Sequence, residues 1–266
     1  MTIGAMELGL SDRACVVTGA SGGIGSATCE ALASEGAALL LVGRSAERLR
    51  RVAGAGKNAE VLALDVTDPD AGERVASTCL ERFGRIDVLV NNAGTSSVTP
   101  YKQLSDEDWQ AQWELHVMAP MRLMRACAPV MAEHGWGRIV NVCSSSGKRP
   151  SKTNMAYSVT KAAQLSLSRA FSDELAGRGV LVNAVAPGPV ADELWLAPGG
   201  MADQAAELQG KTREEVLNAT AARVPLGRMG RAEEIAAVIA FLCSEPASNV
   251  TGAAWSVDGG TVPVII

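Results

Sequence analysis

The sequence has few of the features that would point to a metal, a nucleic acid or a membrane. Its 6 cysteines are scattered, and no two of them show the CxxC spacing of zinc or redox sites. The 24 basic residues form no block and are outnumbered by 29 acidic ones, so the electrostatic footprint of a nucleic-acid-binding protein is missing. No apolar run approaches the ~20 residues of a membrane span. We therefore expect no metal site, no nucleic-acid partner and no membrane segment.

The beginning of the chain, MTIGAMELGL, lacks the basic region and the apolar core of a signal peptide. Isolated cysteines suit reduced thiols that pack as small hydrophobic groups in the cytoplasm. We therefore predict a cytoplasmic protein, in which apolar residues amounting to 47% of the chain leave ample material for a core.

Short apolar runs alternate with longer amphipathic stretches along almost the whole chain. The runs are rich in Val, Leu and Ala and mostly lack polar alternation, which is typical of strands buried on both faces. Such alternation predicts βαβ units, a parallel sheet and helices on both of its faces. With no linker or repeat, we predict a single α/β domain over 1–266, doubly wound, with about seven strands. The predicted strands are 14–18, 38–43, 59–65, 87–91, 138–144, 180–186 and 253–258, and the predicted helices lie near 23–35, 45–53, 70–83, 105–133, 155–177 and 231–244.

A glycine-rich turn, TGASGGIG, joins the first predicted strand to the first helix. Gly19, Gly23 and Gly25 would let the backbone approach a diphosphate, and the helix N-terminus would add N–H groups and positive dipole. The spacing is GxxxGxG and not the GxGxxG fingerprint, and such turns also serve packing alone. We interpret this turn as a dinucleotide site.

Arg44 follows the second strand, at the place where folds that prefer NAD usually carry an acidic residue. A guanidinium there suits a ribose 2′-phosphate, because its donors form a fork. The alternative is a solvated arginine at a strand end. Arg44, with the adjacent Ser45, therefore predicts NADP(H).

Tyr157, Lys161 and Ser144 form the candidate catalytic group. The first two are four residues apart in a helical stretch and so lie on one helix face. A nearby ammonium favours the ionised phenol, so we expect the pKa of Tyr157 to lie below its usual ~10. With the hydroxyl of Ser144 at the end of an apolar run, these groups suit acid–base chemistry at a carbonyl or an alcohol. The alternative is a half-buried tyrosine ring beside a solvated lysine.

The segment 189–222 is the one irregular stretch, interrupted by Pro-Gly-Gly at 198–200. Long insertions in compact domains often form lids or binding loops. Leu194 and Trp195, with Leu196 and Met201, bring large apolar groups, so we predict a lid that contacts an apolar or acyl substrate. The alternative is a helical hairpin packed on the core.

These motifs occur in the order and spacing of the short-chain dehydrogenase/reductase family, which the sequence resembles from about Leu10 to Gly260. The tail PLGRMGRAEEIAAVIAFLCSEPASNVTGAAWSVDGG is similar to the branch that holds the 3-oxoacyl-[acyl-carrier-protein] reductases. The resemblance implies a Rossmann-type domain that interconverts a carbonyl and a secondary alcohol by hydride transfer with NADP(H). The motifs that carry it are the glycine turn, NNAG at 91–94, Ser144, Tyr157 with Lys161, and PG at 187–188.

The resemblance also implies a role for each matching position. Tyr157 would be the general acid–base, Lys161 would lower its pKa and bind the nicotinamide ribose, and Ser144 would orient the substrate oxygen. The positions that match the cofactor cleft are Gly19, Ser21, Ile24, Asp65, Val66, Asn91, Ala93, Gly94, Pro187, Gly188 and Val190.

Two positions depart from the family pattern. His116 stands where the family has a catalytic asparagine, seven residues after a tryptophan, here Trp109. We hypothesise that its imidazole, with its own titration near ~6.5, replaces the asparagine in the proton relay; the alternative is a packed helix histidine. Asp192 replaces a threonine that touches the cofactor. Because a diphosphate repels a carboxylate, we expect the side chain of Asp192 to point away from it or to sit on a mobile lid.

The substrate and the direction of the reaction stay open at this point. A 3-oxoacyl thioester is one candidate, and a sugar, polyol or steroid-like alcohol is the alternative. A catalytically weak dinucleotide-binding sensor or scaffold is a reading of another class, supported by His116 and Asp192. An extended-type epimerase or dehydratase fits less well, because only a few residues follow the last strand. Residues 133–137 contain no lysine or arginine, so we do not predict acyl-carrier-protein as a partner.

The expected assembly follows from the resemblance. The predicted long helices at 105–133 and 155–177 match those that pair between subunits in family tetramers, and the apolar end 261–266 would need cover. We therefore expect a homotetramer or a homodimer with closed symmetry.

Overall fold

The computed structural model describes residues 7–54 and 58–263. Within these ranges seven strands form one parallel sheet in the order β3-β2-β1-β4-β5-β6-β7. The strand order reverses between β1 and β4, so successive crossovers place helices on opposite faces. The strands are β1 (Ala14–Thr18), β2 (Ala38–Gly43), β3 (Ala59–Ala63), β4 (Val88–Asn91), β5 (Gly137–Val142), β6 (Val180–Pro187) and β7 (Ala254–Val257).

The strands predicted at 59–65 and 138–144 end two residues early, at Ala63 and Val142. The last paired residues are the reason, since Gly43 faces Ala63 and Val142 faces Val185. Beyond these pairs the chain leaves the sheet and enters the cleft above it.

Helices cover both faces of the sheet, as the alternation predicts. Val75 of α3 and Leu123 of α5 belong to the core on one face, and Leu32 of α1 and Ile235 of α11 belong to the core on the other. The helices are α1 (Gly23–Ser34), α2 (Ala46–Ala53), α3 (Ala71–Phe83), α4 (Asp106–Trp113), α5 (Ala119–Glu133), α6 (Ser145–Lys148), α7 (Met155–Leu175), α8 (Glu193–Leu196), α9 (Met201–Gln209), α10 (Arg213–Ala222) and α11 (Ala232–Leu242).

The helix predicted over 105–133 is divided. A π-helical turn, Glu114–Met118, joins α4 to α5. Ser105 begins α4 with a capping box, in which its hydroxyl accepts from Asp108 N and the Asp108 carboxylate accepts from Ser105 N. π turns are rare and are frequent at functional sites, and this one carries the fully buried His116.

Residues 189–222, called the lid segment below, form the helices α8, α9 and α10. Thr212 and Glu215 make a capping box that begins α10, and Arg213 pairs with Asp203 of α9 at 3.2 Å. A small apolar cluster of Ala205, Ala206 and Val216 packs against Val98. The segment therefore packs as a helical unit of its own on the cleft side.

Each of the cysteines, all of which fall in the described ranges, is a free and buried thiol. Burial raises the pKa of Cys29 to about 12, which makes this thiol a poor nucleophile. In the same ranges, no group of three or more His, Cys, Asp or Glu side chains is arranged to hold a metal ion. No helix of residues 7–54 and 58–263 is long and apolar enough to span a membrane.

Candidate active site

A cavity of about 1180 Å³ opens above the carboxyl ends of the strands, between the glycine turn and the lid segment. In doubly wound folds, ligands bind at this edge, where the strand order reverses. Residues from the turn after β1, the ends of β2 and β5, helix α7 and the lid segment all line it. The fold therefore gathers motifs that are far apart in the sequence into one cleft.

The glycine turn is held close against the loop after β4. Gly19 has φ 63°, a left-handed conformation that favours glycine. A Cβ at this position would also lie only 2.9 Å from Ala93 Cα, so there is no room for a side chain. Asn92 Nδ2 donates to the carbonyls of Thr18 (3.0 Å) and Gly19 (3.2 Å) and fixes the turn. A Cβ on Gly25 would lie 2.1 Å from Gly19 O, so this glycine serves close packing of α1. The turn is a cradle that only glycines can form.

Most predicted cofactor and substrate residues line the cavity. They are Gly19, Ser21, Gly23, Ile24, Arg44, Asp65, Val66, Ala93, Gly94, Ser144, Tyr157, Lys161, Pro187, Gly188, Val190, Leu194 and Trp195.

Three residues assigned to the cofactor site lie elsewhere. Gly25 is packed under the turn, and Ser45 caps α2 by accepting from Arg48 N at 3.3 Å. Asn91 is buried in the sheet, where its Nδ2 donates to Asn141 Oδ1 at 2.8 Å. Asn91 ends β4, and side chains of a strand alternate between the two faces, so it points into the core and not into the cleft. These assignments are corrected on that ground.

Asp65 is an ionised acceptor at the cofactor end of the cleft. Its Oδ1 accepts from the backbone N–H (3.0 Å) and the hydroxyl (2.8 Å) of Thr67. The bond from the Thr67 N–H is the main reason that the pKa of Asp65 is lowered. The carboxylate is therefore fixed in place and available to accept from a ligand's donors.

Ser144, Tyr157 and Lys161 converge on the cavity from two elements. Ser144 is the N-cap of α6, and its Oγ accepts from Ser146 N at 3.0 Å. Tyr157 and Lys161 lie one turn apart on α7. Lys161 is buried, and its Nζ donates to Val142 O and to Gln164 Oε1, both at 2.8 Å.

The expected low pKa of Tyr157 is wrong for this structure. Burial raises the pKa of Tyr157 to about 12, and the bond with the Ser144 hydroxyl lowers it only in part. Lys161 Nζ lies 5.7 Å from the centre of the tyrosine ring and is directed to its other partners. Burial also lowers the pKa of Lys161 to about 8. Loss of hydration therefore outweighs the attraction that the spacing predicted.

The hydrogen bonds of His116 decide its tautomer. Thr95 N–H donates to Nε2 at 3.3 Å, so Nε2 is an acceptor and the proton sits on Nδ1. Nδ1–H then donates to Thr160 Oγ1 at 3.1 Å, and this hydroxyl donates to Tyr157 O at 2.9 Å. Burial, helped by the charge of Lys161, lowers the pKa of His116 well below its usual value. The expected titration near 6.5 is wrong because the ring is held neutral.

Asp192 lies at the start of the lid segment and does not point away from the glycine turn, which corrects the first of the two alternatives expected for it. Its Oδ1 accepts from Leu194 N at 3.1 Å and caps α8. Its other oxygen lies against the turn, since a Cβ on Gly23 would be 2.8 Å from Asp192 Oδ2. The geometry of an N-cap sets the direction of this side chain. Burial raises the pKa of Asp192.

The sequence reasoning missed several polar residues of the cleft. Arg48 reaches back from α2 to donate to Ser21 O at 3.2 Å and pairs with Glu193 of the lid segment. Gln112 lines the cavity, and its Oε1 is buried and makes no hydrogen bond within the described part of the chain. Arg48 carried a sequence signal, because it lies four residues after Arg44. Gln112 carried none.

The cleft fits a dinucleotide with a 2′-phosphate. The turn is a cradle that side chains would fill, the N-terminus of α1 points into it, and Arg44 lines the same cavity. A family model described as enoyl-(acyl carrier protein) reductase matches residues 19–262. The chain belongs to the short-chain dehydrogenase/reductase family.

Relatives in this family match nearly the whole chain. The chain is 36% identical over 259 residues to the 3-oxoacyl-[acyl-carrier-protein] reductase FabG of Thermotoga maritima, covering 95% of this chain and 99% of that protein. It is 34% identical to a sorbitol dehydrogenase of Cereibacter sphaeroides, covering 94% and 98%. The predicted resemblance to the 3-oxoacyl reductase branch is confirmed.

Solved structures of the family give the cofactor. L-Sorbose reductase from Gluconobacter frateurii, complexed with NADPH and L-sorbose, superposes with a TM-score of 0.91 at 35% identity, covering 98% of this chain and 100% of that one. An NAD(P)-dependent gluconate 5-dehydrogenase from Beutenbergia cavernae, described as putative and with bound NADP, gives a TM-score of 0.85 at 34% identity, covering 97% and 100%. The chain is accordingly an NADP(H)-dependent short-chain dehydrogenase/reductase acting on CH–OH and carbonyl groups.

Proposed function

We propose that Ser144, Tyr157 and Lys161 carry out the carbonyl–alcohol interconversion. The observation that carries the proposal is their convergence on the large cavity beside the glycine cradle. When bound, NADP(H) supplies or accepts the hydride. Ser144 polarises the substrate oxygen through its hydroxyl, and Tyr157 gives that oxygen a proton in reduction or takes one in oxidation. With its pKa raised to about 12, the phenol is protonated at neutral pH and ready to donate in reduction, whereas oxidation requires the phenolate.

His116 acts as a positioning residue. Both of its ring nitrogens are engaged, by Thr95 N and by Thr160 Oγ1. A neutral ring held in one tautomer cannot carry a proton between partners without breaking one of these bonds. The ring instead packs edge-on against Tyr157, with 5.2 Å between ring centres. This replaces the relay role that the sequence suggested for it.

The substrate we favour is a small hydroxylated carbonyl compound, of the sugar or polyol class. Next to Tyr157 the cavity is lined by Gln112, whose buried Oε1 lacks a partner, and by Asn154, whose Nδ2 donates to Ser96 Oγ at 3.4 Å. Gln112 and Asn154 make this part of the cavity wall polar, which favours a ligand with hydroxyl groups. Relatives described as sorbitol dehydrogenase and L-sorbose reductase are consistent with this choice.

A short 3-oxoacyl thioester is the second candidate. Leu194, Trp195, Met201 and Val216 of the lid segment line the other side of the cavity and suit an acyl chain. The 3-oxoacyl reductase among the relatives supports this reading.

The test is NADPH consumption with L-sorbose and other ketoses beside a short 3-oxoacyl thioester. We expect turnover with a ketose, and a Gln112→Leu variant to lose about tenfold in kcat/KM for it, because a hydrogen bond to a buried group is lost. Gln110→Leu, an exposed change on the same helix, is the control. Turnover with the thioester alone, unaffected at Gln112, would select the second candidate. NADPH binding without turnover on either class would favour the sensor or scaffold.

We also propose that the protein assembles as a homotetramer or homodimer. Trp113, Met155 and Val159 leave 40%, 38% and 44% of their surfaces exposed on α4 and α7, part of the long helices expected to pair. The apolar end, 261–266, that was also expected to need cover lies partly outside the described residues, at 264–266. Light scattering on the purified protein tests the proposal, and a monomer would contradict it.

A further inference from the structure

Two carboxylates of the lid segment lie on the glycine cradle itself. A Cβ on Gly22 would lie 2.9 Å from Glu193 Oε2, and one on Gly23 would lie 2.8 Å from Asp192 Oδ2. Gly22 and Gly23 begin α1, whose N-terminus has no side-chain cap. Its free N–H groups and positive dipole attract any anion placed there. In this structure the anions that lie against this N-terminus are the carboxylates of Asp192 and Glu193.

Arg48 completes this arrangement. Its Nη2 would lie 2.8 Å from a Cβ on Gly22, donates to Ser21 O at 3.2 Å, and pairs with Glu193. Arg48 and Arg44 line the same cavity, which makes two guanidiniums at its cofactor end. One of them is already neutralised by a carboxylate from the lid segment.

We propose that Asp192 and Glu193 compete with the cofactor for the glycine cradle, and that Arg48, once released from Glu193, is a second arginine for the 2′-phosphate. This inference rests on the cofactor site described above. It makes Glu193 a residue that sets selectivity, because a cofactor that carries a 2′-phosphate regains an ion pair with Arg48. A cofactor without that group makes no use of Arg48 and leaves the Arg48–Glu193 pair in place.

The two carboxylates then have separable effects. Asp192 lies at the turn, near the place for a diphosphate, so its charge opposes NADPH and NADH alike. Glu193 holds Arg48 in an ion pair. Its charge therefore weakens the binding of NADPH, because Arg48 must leave Glu193 before it can pair with the 2′-phosphate. Binding of either cofactor requires the Asp192 carboxylate to move away from the turn.

The experiment is calorimetric titration of the full chain with NADPH and with NADH. Asp192→Asn keeps the N-cap, since Asn caps as well as Asp does, and removes the charge. We expect it to tighten both cofactors about tenfold. We expect Glu193→Gln to tighten NADPH about two- to fivefold and NADH less, in keeping with the weakness of exposed ion pairs. Glu207→Gln, which removes an exposed charge elsewhere in the lid segment, is the control and should change neither.

A double-mutant cycle isolates the Arg48 step. In an Arg48→Met background, NADPH should bind about tenfold more weakly than to the wild type, and Glu193→Gln should no longer tighten it. Unchanged affinities in both carboxylate variants, with NADPH still bound by the wild type, would overturn the inference and leave the cofactor site intact. Weaker NADPH binding in both variants would overturn it as well. If neither the wild type nor any variant bound NADPH, both this inference and the assignment of the cofactor site would be wrong.

Discussion

The two sides of the cleft are built in different ways. On the sheet side, Lys161, His116 and Thr160 are buried, and each is fixed by hydrogen bonds within the protein. On the lid side, Glu193 is largely exposed, and the apolar Leu194 is half exposed. The difference teaches that the reacting groups are positioned before any ligand arrives, whereas the surface that selects ligands is held by contacts that a ligand can replace.

Tyr157→Phe gives the largest expected effect on the sheet side. Loss of the phenol removes the proposed proton donor, so kcat should fall about 10²–10⁴-fold while the protein still binds NADPH. Steady-state kinetics at saturating substrate, with Tyr101→Phe as the exposed control, checks this. Equal activity in both variants would mean that the proton comes from elsewhere.

Lys161→Met tests how much the buried ammonium of Lys161 lowers the free energy of unfolding. Because the folded-state pKa of about 8 lies below the usual value of 10.5, the unfolded chain binds more protons between these values. The contribution of Lys161 to the free energy of unfolding should therefore rise with pH from 8 to 10, by about 1.4 kcal/mol per unit at most. The buried cysteine thiols, whose pKa values are raised, add an opposite dependence in this range, so the effect is taken as the wild type minus Lys161→Met, in which the thiols cancel. This difference should rise with pH, and the difference between the wild type and Lys102→Met, at an exposed position, should not.

Urea denaturation at a series of pH values measures the effect. A difference between the wild type and Lys161→Met that stays level from pH 8 to 10 would show that the ammonium is better solvated than its burial implies. The range stops at 10 because the usual pKa of lysine, 10.5, marks its upper end.

His116→Asn should have a moderate effect. The loss of one buried hydrogen bond lowers kcat about fivefold, and the shape of the pH–rate profile between 5.5 and 7.5 stays as in the wild type, because the ring is neutral throughout. A wild-type pKa near 6.5 that disappears in the variant would restore the relay role for this histidine.

Trp195→Ala gives the smallest expected change in kcat and reports on the lid side. Because the ring is half exposed, KM should rise by less than about tenfold, with kcat nearly unchanged. Leu208→Ala, an exposed change on α9 away from the cavity, is the control. A large fall in kcat in the Trp195→Ala variant would show that the lid side also contributes to the reaction, contrary to this comparison.

The sequence predicted the features that arise from local patterns and missed those that depend on burial or on contacts between distant residues. Buried strands, the glycine turn and the Tyr157–Lys161 spacing are local patterns, and the sheet order follows from helical crossovers. The pKa of Tyr157 was missed because it depends on burial, which spacing does not give. The Arg48–Glu193 pair joins positions 145 residues apart, and the direction of Asp192 depends on where α8 begins. Neither leaves a local pattern in the sequence.

The π turn at Glu114–Met118 has a consequence for how this helix tolerates deletions and insertions. A π turn holds one residue more than the α-helical path it replaces. Deleting any one of its five residues would let α4 and α5 fuse into a regular helix, but one end would be rotated by about 100° relative to the other. Either His116 would lose its contact with Tyr157, or Leu123 and Met124 would leave the core. Unlike the ends of surface loops, this stretch should accept substitutions far more readily than a change of length.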